Sequence, residues 1–214
     1  MAFHKLCRGE FIRSDHHAFE KISNAVKNML GKKARTILKT HPHKRVFRVE
    51  LSDGVIVRVG ILKKWQSGMY CPYRLQMIAY DAGVMVPKLI AIEDRIEISE
   101  WIDGVELYYV KHFPEPNARL GKLMGRLNLV KSEDLYLANS DINNTNFIWT
   151  KKKELYFIDF GRMRLTNYEG AVNRTAKGVG KRVNKYRRKW FYDEYAKYHD
   201  INEFIKLVDK YNRL

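Results

Sequence analysis

Residues 139–164 read NSDINNTNFIWTKKKELYFIDFGRMR, and two short apolar runs in this stretch organise the rest of the chain. Phe147–Trp149 and residues 155–158 are rich in aromatic and β-branched side chains, the composition of strands. The polar run TKKK between them turns the chain back, which predicts a hairpin. Asn146 enters its first strand and Asp159 leaves its second, so both are expected at one end. Asp141 lies five residues before Asn146, in the loop feeding that end. Two carboxylates and an amide oxygen converging on one point make a hard-oxygen site suited to Mg²⁺ with bound phosphate. The bland alternative is a hairpin with solvated Asp and Asn turns.

Composition bounds what surrounds this stretch. At 214 residues the chain is one large domain or a two-lobed one, long enough to bury a core. Lys and Arg number 40 against 24 Asp and Glu, a formal charge of +16 that favours an acidic partner. Cys7 and Cys71 offer neither a disulfide framework nor a metal-binding spacing, so a reducing compartment is expected. No early apolar run resembles a signal peptide and none reaches the length of a membrane span, so neither secretion nor a span is expected.

Upstream, Ser14 or Asp15 can cap a helix whose Phe19, Ile22, Val26 and Met29 recur at three and four, ending near Gly31. His16 and His17 are adjacent and diverge around that helix, so they are not expected to share a metal. Residues 36–38, 46–51 and 55–59 read as three strands, with Ser52-Asp53-Gly54 as the turn between the last two. A helix over 73–82 follows, then within 84–93 a Val86-Pro87 step and a strand after it, then a strand over 95–102, and Asp103-Gly104 ends this part. Pro114 and Pro116 punctuate the start of a helix carrying Leu120, Leu123, Met124 and Leu127, a core stripe. Between Arg162 and Lys189 there are ten Lys or Arg and a single acid, Glu169. Such a run is either a solvated basic helix or a surface for phosphates and carboxylates. Apolar helical faces, from Trp190 to Val208, close the chain.

The pattern D-x-x-x-x-N at Asp141 and Asn146, followed by D-F-G at Asp159, resembles the catalytic and metal-binding loops of the protein-kinase-like superfamily. The resemblance implies an α+β, two-lobed fold with an antiparallel β-sheet N-lobe and a mainly helical C-lobe. It divides the chain into an N-terminal helical extension over 1–33, an N-lobe over 34–102 and a C-lobe over 103–214. It implies ATP and Mg²⁺ as cofactors. Asp141 would orient or deprotonate an acceptor hydroxyl, while Asn146 and Asp159 would hold the metal. Backbone groups from Glu100 to Ile102 would face adenine.

The chain departs from that pattern in four places. The turn before Val46 has no glycine, leaving His43, Lys44 and Arg45 to supply charge. The lysine of the third strand is absent. By register Arg58 takes its place, with Val57 and Val59 outward and Lys63 and Lys64 close behind. The following helix offers no Glu, so Gln76 or Tyr73 is left to orient Arg58. Asn139 stands where the family has a histidine that scaffolds the loop.

Within the superfamily the chain looks most like the lipopolysaccharide-core sugar kinases, the heptose kinase type in particular. The points of likeness are ISEWIDGVEL, the S-D-x-x-x-x-N-F-I loop and the brief basic C-terminal region. RIO- and Bud32-like atypical protein kinases come next. The expected activity is therefore ATP- and Mg²⁺-dependent phosphorylation of a hydroxyl on an acidic acceptor, a phosphorylated glycolipid or a protein. Either kind implies a cytoplasmic protein, the sugar kinase acting at the inner face of the membrane with a peripheral contact to its anionic surface. A pseudokinase scaffold is the rival reading, favoured by the missing glycines, lysine and Glu. A plain nucleic-acid-binding domain rests on charge alone and ranks last.

Overall fold

A computed structural model of the protein describes residues 13–40, 45–61 and 71–212. Among these, α1 (Arg13–Leu30), β1 (Ala34–Lys39), β2 (Val46–Leu51) and β3 (Ile56–Ile61) come first, and α2 (Pro72–Asp81), β4 (Leu89–Glu93) and β5 (Ile96–Glu100) follow. The five strands form one antiparallel sheet in the order β1-β2-β3-β5-β4. Alternation along its strands sorts the side chains onto two faces. Phe47, Val49 and Leu51 from β2, Val57 and Val59 from β3, and Ile96 and Ile98 from β5 are all buried on one face. Ile22 and Val26 of α1 are fully buried against them, and Phe19 meets Phe47 edge to face. Val57 and Val59, expected to point outward, are thus core residues, because the amphipathic α1 covers the face they occupy.

The remaining elements are β6 (Val105–Glu106), α3 (Leu107–Val110), α4 (Pro114–Leu127), β7 (Lys131–Ser132) and β8 (Leu135–Ala138). After them come a 3₁₀ turn at Asn144–Asn146, β9 (Phe147–Trp149), β10 (Leu155–Phe157), β11 (Arg164–Thr166), α5 (Tyr168–Arg182), α6 (Lys185–Tyr195) and α7 (Ile201–Asn212). Two small three-stranded sheets, β10-β9-β6 and β11-β8-β7, sit among the helices. Their strands are two to four residues long, too short for period-two patterning to reveal all of them.

The chain folds as two compact units. The first holds α1 and the five-stranded sheet, and the second holds α2 together with everything from β6 onward. Packing therefore groups the chain differently from the division 1–33, 34–102 and 103–214 drawn on the sequence. Helix α1 shares the sheet's core, and α2 contributes Leu75 and Ala79 to the second unit's core with Leu120, Met124, Phe147 and Phe157. Fully buried apolar side chains of this size contribute about 1.5–3 kcal/mol each, so the second core is a firm base for the loops it carries.

Gly178 shows how closely α5 approaches the loop after β8. A Cβ there would lie 2.9 Å from the Ser140 carbonyl oxygen and 2.7 Å from the Ile142 side chain. Only a residue without a side chain lets the helix pass at that distance. Asn128, at the end of α4, is buried and donates to the Leu137 carbonyl while accepting from the Tyr195 hydroxyl at 3.0 Å. This one amide ties α4, β8 and α6 together just before the loop begins. Among the described residues no helix is long and apolar enough to cross a membrane.

Candidate active site

The hairpin β9–β10 pairs Phe147 with Phe157, and one residue further out the Ile158 amide donates to the Asn146 carbonyl at 2.9 Å. Asn146 and Asp159 are consequently next to each other in register at the same end of the hairpin. The Asn146 side chain, buried to 4% exposure, donates through Nδ2 to the Asp141 carbonyl at 3.1 Å. That bond fixes the amide and leaves its oxygen as the unengaged donor. Asp159 is exposed, and its Oδ1 accepts from the Gly161 amide at 3.0 Å, leaving the other carboxylate oxygen free. The amide oxygen and the carboxylate are of the donor type a Mg²⁺ ion takes.

Asp141 is held from the other side. Its amide donates to Asn139 Oδ1 at 2.9 Å, and Asn139 is fully buried. The asparagine in the position of the family's histidine therefore supports the loop through a side chain to backbone bond of its own. Asn143 Oδ1 caps the 3₁₀ turn by accepting from the Thr145 amide. Nothing in composition or periodicity marks Asn143 as part of this scaffold. Its signal is the Asn-x-Thr spacing ahead of a strand, the pattern of an Asx turn.

The Asp141 carboxylate is partly exposed, with Arg162 Nε 3.7 Å away. Arg162 follows D-F-G and extends into solvent, so the pair is loose and contributes little to stability. Its consequence is local: a cation stands beside the one carboxylate in the loop that is free to meet an acceptor.

In the first unit, Arg58 forms an ion pair with Glu97 of β5. Their side chains are 20% and 8% exposed. Glu97 lies opposite Gly60 in register, diagonal to Arg58, which itself faces Ser99. A Cβ on Gly60 would stand 2.6 Å from Glu97 Oε1, so the missing side chain is what lets Glu97 lean across to the guanidinium. Gln76, one of two residues expected to orient Arg58, donates instead to the Pro87 carbonyl at 2.7 Å. Glu97 was missed on the sequence. Its signal was available, since in IEISE Glu97 and Ser99 alternate with two apolar residues and so share the face of Arg58.

Glu100 ends β5 in the first unit and Ile102 opens the second, so the segment expected to face adenine spans the boundary in the chain. Arg48 stacks over the Trp101 ring at 5.9 Å. His43, Lys44, Lys63 and Lys64 lie outside the described residues, and Arg45 precedes β2 with its side chain exposed. Among the described residues no group of three His, Cys, Asp or Glu is arranged to hold a metal. A site of Asn146 and Asp159 depends on one carboxylate and one amide, with phosphate oxygens as further ligands.

Fold and site define a protein of the protein-kinase-like class. Residues 73–199, more than half of the chain, match the RIO domain family model, and the chain belongs to that family. The fold is shared with solved small-molecule kinases. One is the AMP-bound complex of spectinomycin phosphotransferase, with TM-score 0.68 and 11% identity over 91% of this chain and 85% of that one. Another is the Plasmodium vivax ethanolamine kinase, with TM-score 0.66 and 11% identity over 96% and 80% of the two chains. A third is the amicoumacin kinase hAmiN in complex with AMP-PNP, Ca²⁺ and Ami, with TM-score 0.63 and 11% identity over 92% and 86%. No curated protein sequence matches the chain significantly.

Proposed function

We propose that the protein is an ATP- and Mg²⁺-dependent phosphotransferase acting on a hydroxyl of an acidic acceptor. The observation that carries this reading is the bonded set Asp141–Asn146–Asp159. The Asn146 side chain is tied to the Asp141 backbone, and the Asn146 backbone to the residue before Asp159. Asn146 and Asp159 would hold the metal, which would supply charge neutralisation for the phosphates. Asp141 orients the acceptor hydroxyl and takes its proton as the oxygen bonds to the γ-phosphorus and the bond to ADP breaks. Arg162 places a positive charge beside Asp141. Arg58, held by Glu97, contacts the nucleotide phosphates, and the backbone at Glu100 and Ile102 receives adenine.

The acceptor we favour is a sugar of the lipopolysaccharide core, on the sequence resemblance, with the protein cytoplasmic and in peripheral contact with the inner membrane. The names of the structural neighbours, kinases of antibiotics and of ethanolamine, agree with a small acceptor rather than a protein. Membership of the RIO domain family favours a second reading, an atypical Ser/Thr protein kinase.

Thermal denaturation with and without Mg-ATP tests the metal and nucleotide. Ligand at 100 times its dissociation constant stabilises by about 2.7 kcal/mol, and at this size each kcal/mol moves Tm by roughly 2–4 °C. The shift should disappear in Asp159→Ala. Absence of any shift in the wild-type protein would remove the reading. Transfer from γ-labelled ATP to core glycolipid or to a basic protein, assayed side by side, then decides between the two acceptors.

A further inference from the structure

The N-terminal turn of α6 runs against local electrostatics. A helix N-terminus carries partial positive charge and favours acids, yet α6 opens Lys-Tyr-Arg-Arg with no acidic residue in its first turn. Immediately before it, α5 ends in Lys181 and Arg182. These residues converge on one open concavity of about 390 Å³ lined by Lys181, Arg182, Lys185, Tyr186, Arg187 and Arg188, with no carboxylate in its lining. Lys181, Arg182, Lys185 and Arg187 have no acidic partner among the described residues, so the cations are not there to balance one another's neighbours.

Two of the cations are fixed in place. Arg188 is buried to 6% exposure and donates to the Val183 and Gly180 carbonyls and to Asn212 Oδ1, each at 2.9–3.0 Å. Arg187 donates to the Lys111 carbonyl at 3.2 Å, and burial lowers its pKa from the ordinary guanidinium value. Holding like charges together in a built concavity costs free energy that an anionic ligand would recover. Asn184 caps α6 by accepting from the Tyr186 amide, yet no carboxylate offsets the first-turn cations, a breach of local electrostatics of the kind expected at functional sites.

Helix α5, which forms one side of the concavity, also packs on the loop that carries Asp141. Gly178 of α5 touches Ser140 and Ile142, and Arg182 stands one turn further on the same helix face, about 6 Å along the axis. On the other side, Arg187 reaches the turn after α3, and α3 packs on the Asn144–Asn146 turn.

We propose that this concavity is an anion subsite that binds a phosphomonoester on the acceptor, so that the enzyme acts on a substrate already phosphorylated elsewhere. This rests on the phosphotransferase reading and assigns its acceptor class. Converging forks and ammonium groups around one hollow suit a compact dianion. A nucleic-acid backbone would instead need a track of cations along an extended surface.

Calorimetric titration of the whole protein with inorganic phosphate, glucose 6-phosphate, glucose and a short single-stranded oligonucleotide tests the proposal. Phosphate and glucose 6-phosphate should bind and glucose should not. Lys185→Gln with Arg187→Gln should weaken the phosphate ligands by about tenfold or more, as loss of charge-assisted contacts requires. Lys181→Gln with Arg182→Gln, all solvent-facing changes, gives the same result if the first pair disturbs the α3 turn. Both variants should keep the Mg-ATP thermal shift. Asp159→Ala should keep phosphate binding while losing that shift, which separates this subsite from the nucleotide reading. Unchanged phosphate affinity in both double variants, phosphate binding lost in Asp159→Ala, or tighter binding of the oligonucleotide abolished by the same pairs would each overturn it.

Discussion

The β9–β10 hairpin and the inner face of the five-stranded sheet stand in opposite relation to the kinase pattern. At the hairpin the spacing from Asp141 to Asn146 to Asp159 is intact: the Asn146 side chain is tied to the Asp141 backbone, its carbonyl accepts from Ile158 beside Asp159, and Asp159 accepts from the Gly161 amide. On the sheet the lysine has become Arg58, and its acidic partner comes from the adjacent strand as Glu97 rather than from α2. The difference follows from how each place delivers its chemistry. The proposed metal ligands must lie close together, and one loop and one turn set their positions. A phosphate-contacting cation needs only to reach its target and be held there. A guanidinium braced inside the sheet can do this as an ammonium braced by a helix does, with a flatter and more directional fork.

The largest effect should come from the hairpin side of this comparison. Asp141→Asn keeps the loop's shape, because the bonds that fix residue 141 use its backbone. It should lower phosphoryl transfer by about 10²–10⁴-fold, the range for loss of a positioned acid or base, with the Mg-ATP thermal shift unchanged. Equal losses of binding and turnover would mean that the carboxylate serves the nucleotide instead.

On the sheet side the prediction concerns stability first. Arg58→Ala leaves Glu97, 8% exposed, without its cation. Removing one partner of a buried pair costs about 3–5 kcal/mol, which urea denaturation would register directly. Arg58→Met with Glu97→Leu should recover most of that loss, since a packed apolar pair often replaces a buried ion pair without penalty. If the pair also serves nucleotide, the double variant is stable yet shows a reduced Mg-ATP shift. A normal shift would make Arg58 and Glu97 purely structural and would sharpen the contrast with the hairpin.

How much of this was legible beforehand follows the same division. The hairpin, the end at which Asn146 and Asp159 meet, and the α1 stripe were readable because each rests on local periodicity or spacing over a few residues. The kinase-like class came from one short spacing pattern. The family pattern places the acidic partner on the helix after the third strand, whereas the Glu97 pairing depends on strand order β3-β5 and on the empty space over Gly60. Val57 and Val59 read as outward because nothing local says that α1 folds back over them. The basic concavity needed the turn between α5 and α6, which converts a linear run of cations into a convergent one.

A smaller stability change should follow Gly178→Ala. The new Cβ would press on the Ser140 carbonyl and Ile142, and overpacking at such a contact costs about 1–3 kcal/mol. The hairpin's chemistry predicts more than that: shifting residues 140–142 by a fraction of an ångström should lower turnover more than nucleotide binding. A variant that is destabilised but fully active would show that the loop tolerates displacement and that its spacing is less strict than the comparison holds.

The smallest effect tests the scaffold behind the hairpin. His199 is buried, with Nε2 2.9 Å from the Gly125 carbonyl and Nδ1 2.7 Å from the Tyr168 hydroxyl. A carbonyl only accepts, so Nε2 carries the proton and Nδ1 accepts from Tyr168 in the neutral ring. Its ring packs 4.5 Å from that of Tyr195. Burial lowers the His199 pKa from its ordinary 6.5, an effect only partly offset by the bond to Gly125. Below pH 6.5 the unfolded chain therefore takes up a proton that the folded one refuses, and stability falls as pH falls through that region. Above it the contribution is fully present. His199→Gln should flatten the Tm profile between neutral and mildly acidic pH relative to wild type, while the Mg-ATP shift at neutral pH persists. Parallel profiles for the two proteins would mean that the titrating group lies elsewhere, and that the α4, α5 and α6 contacts meeting at this ring do not sense the proton.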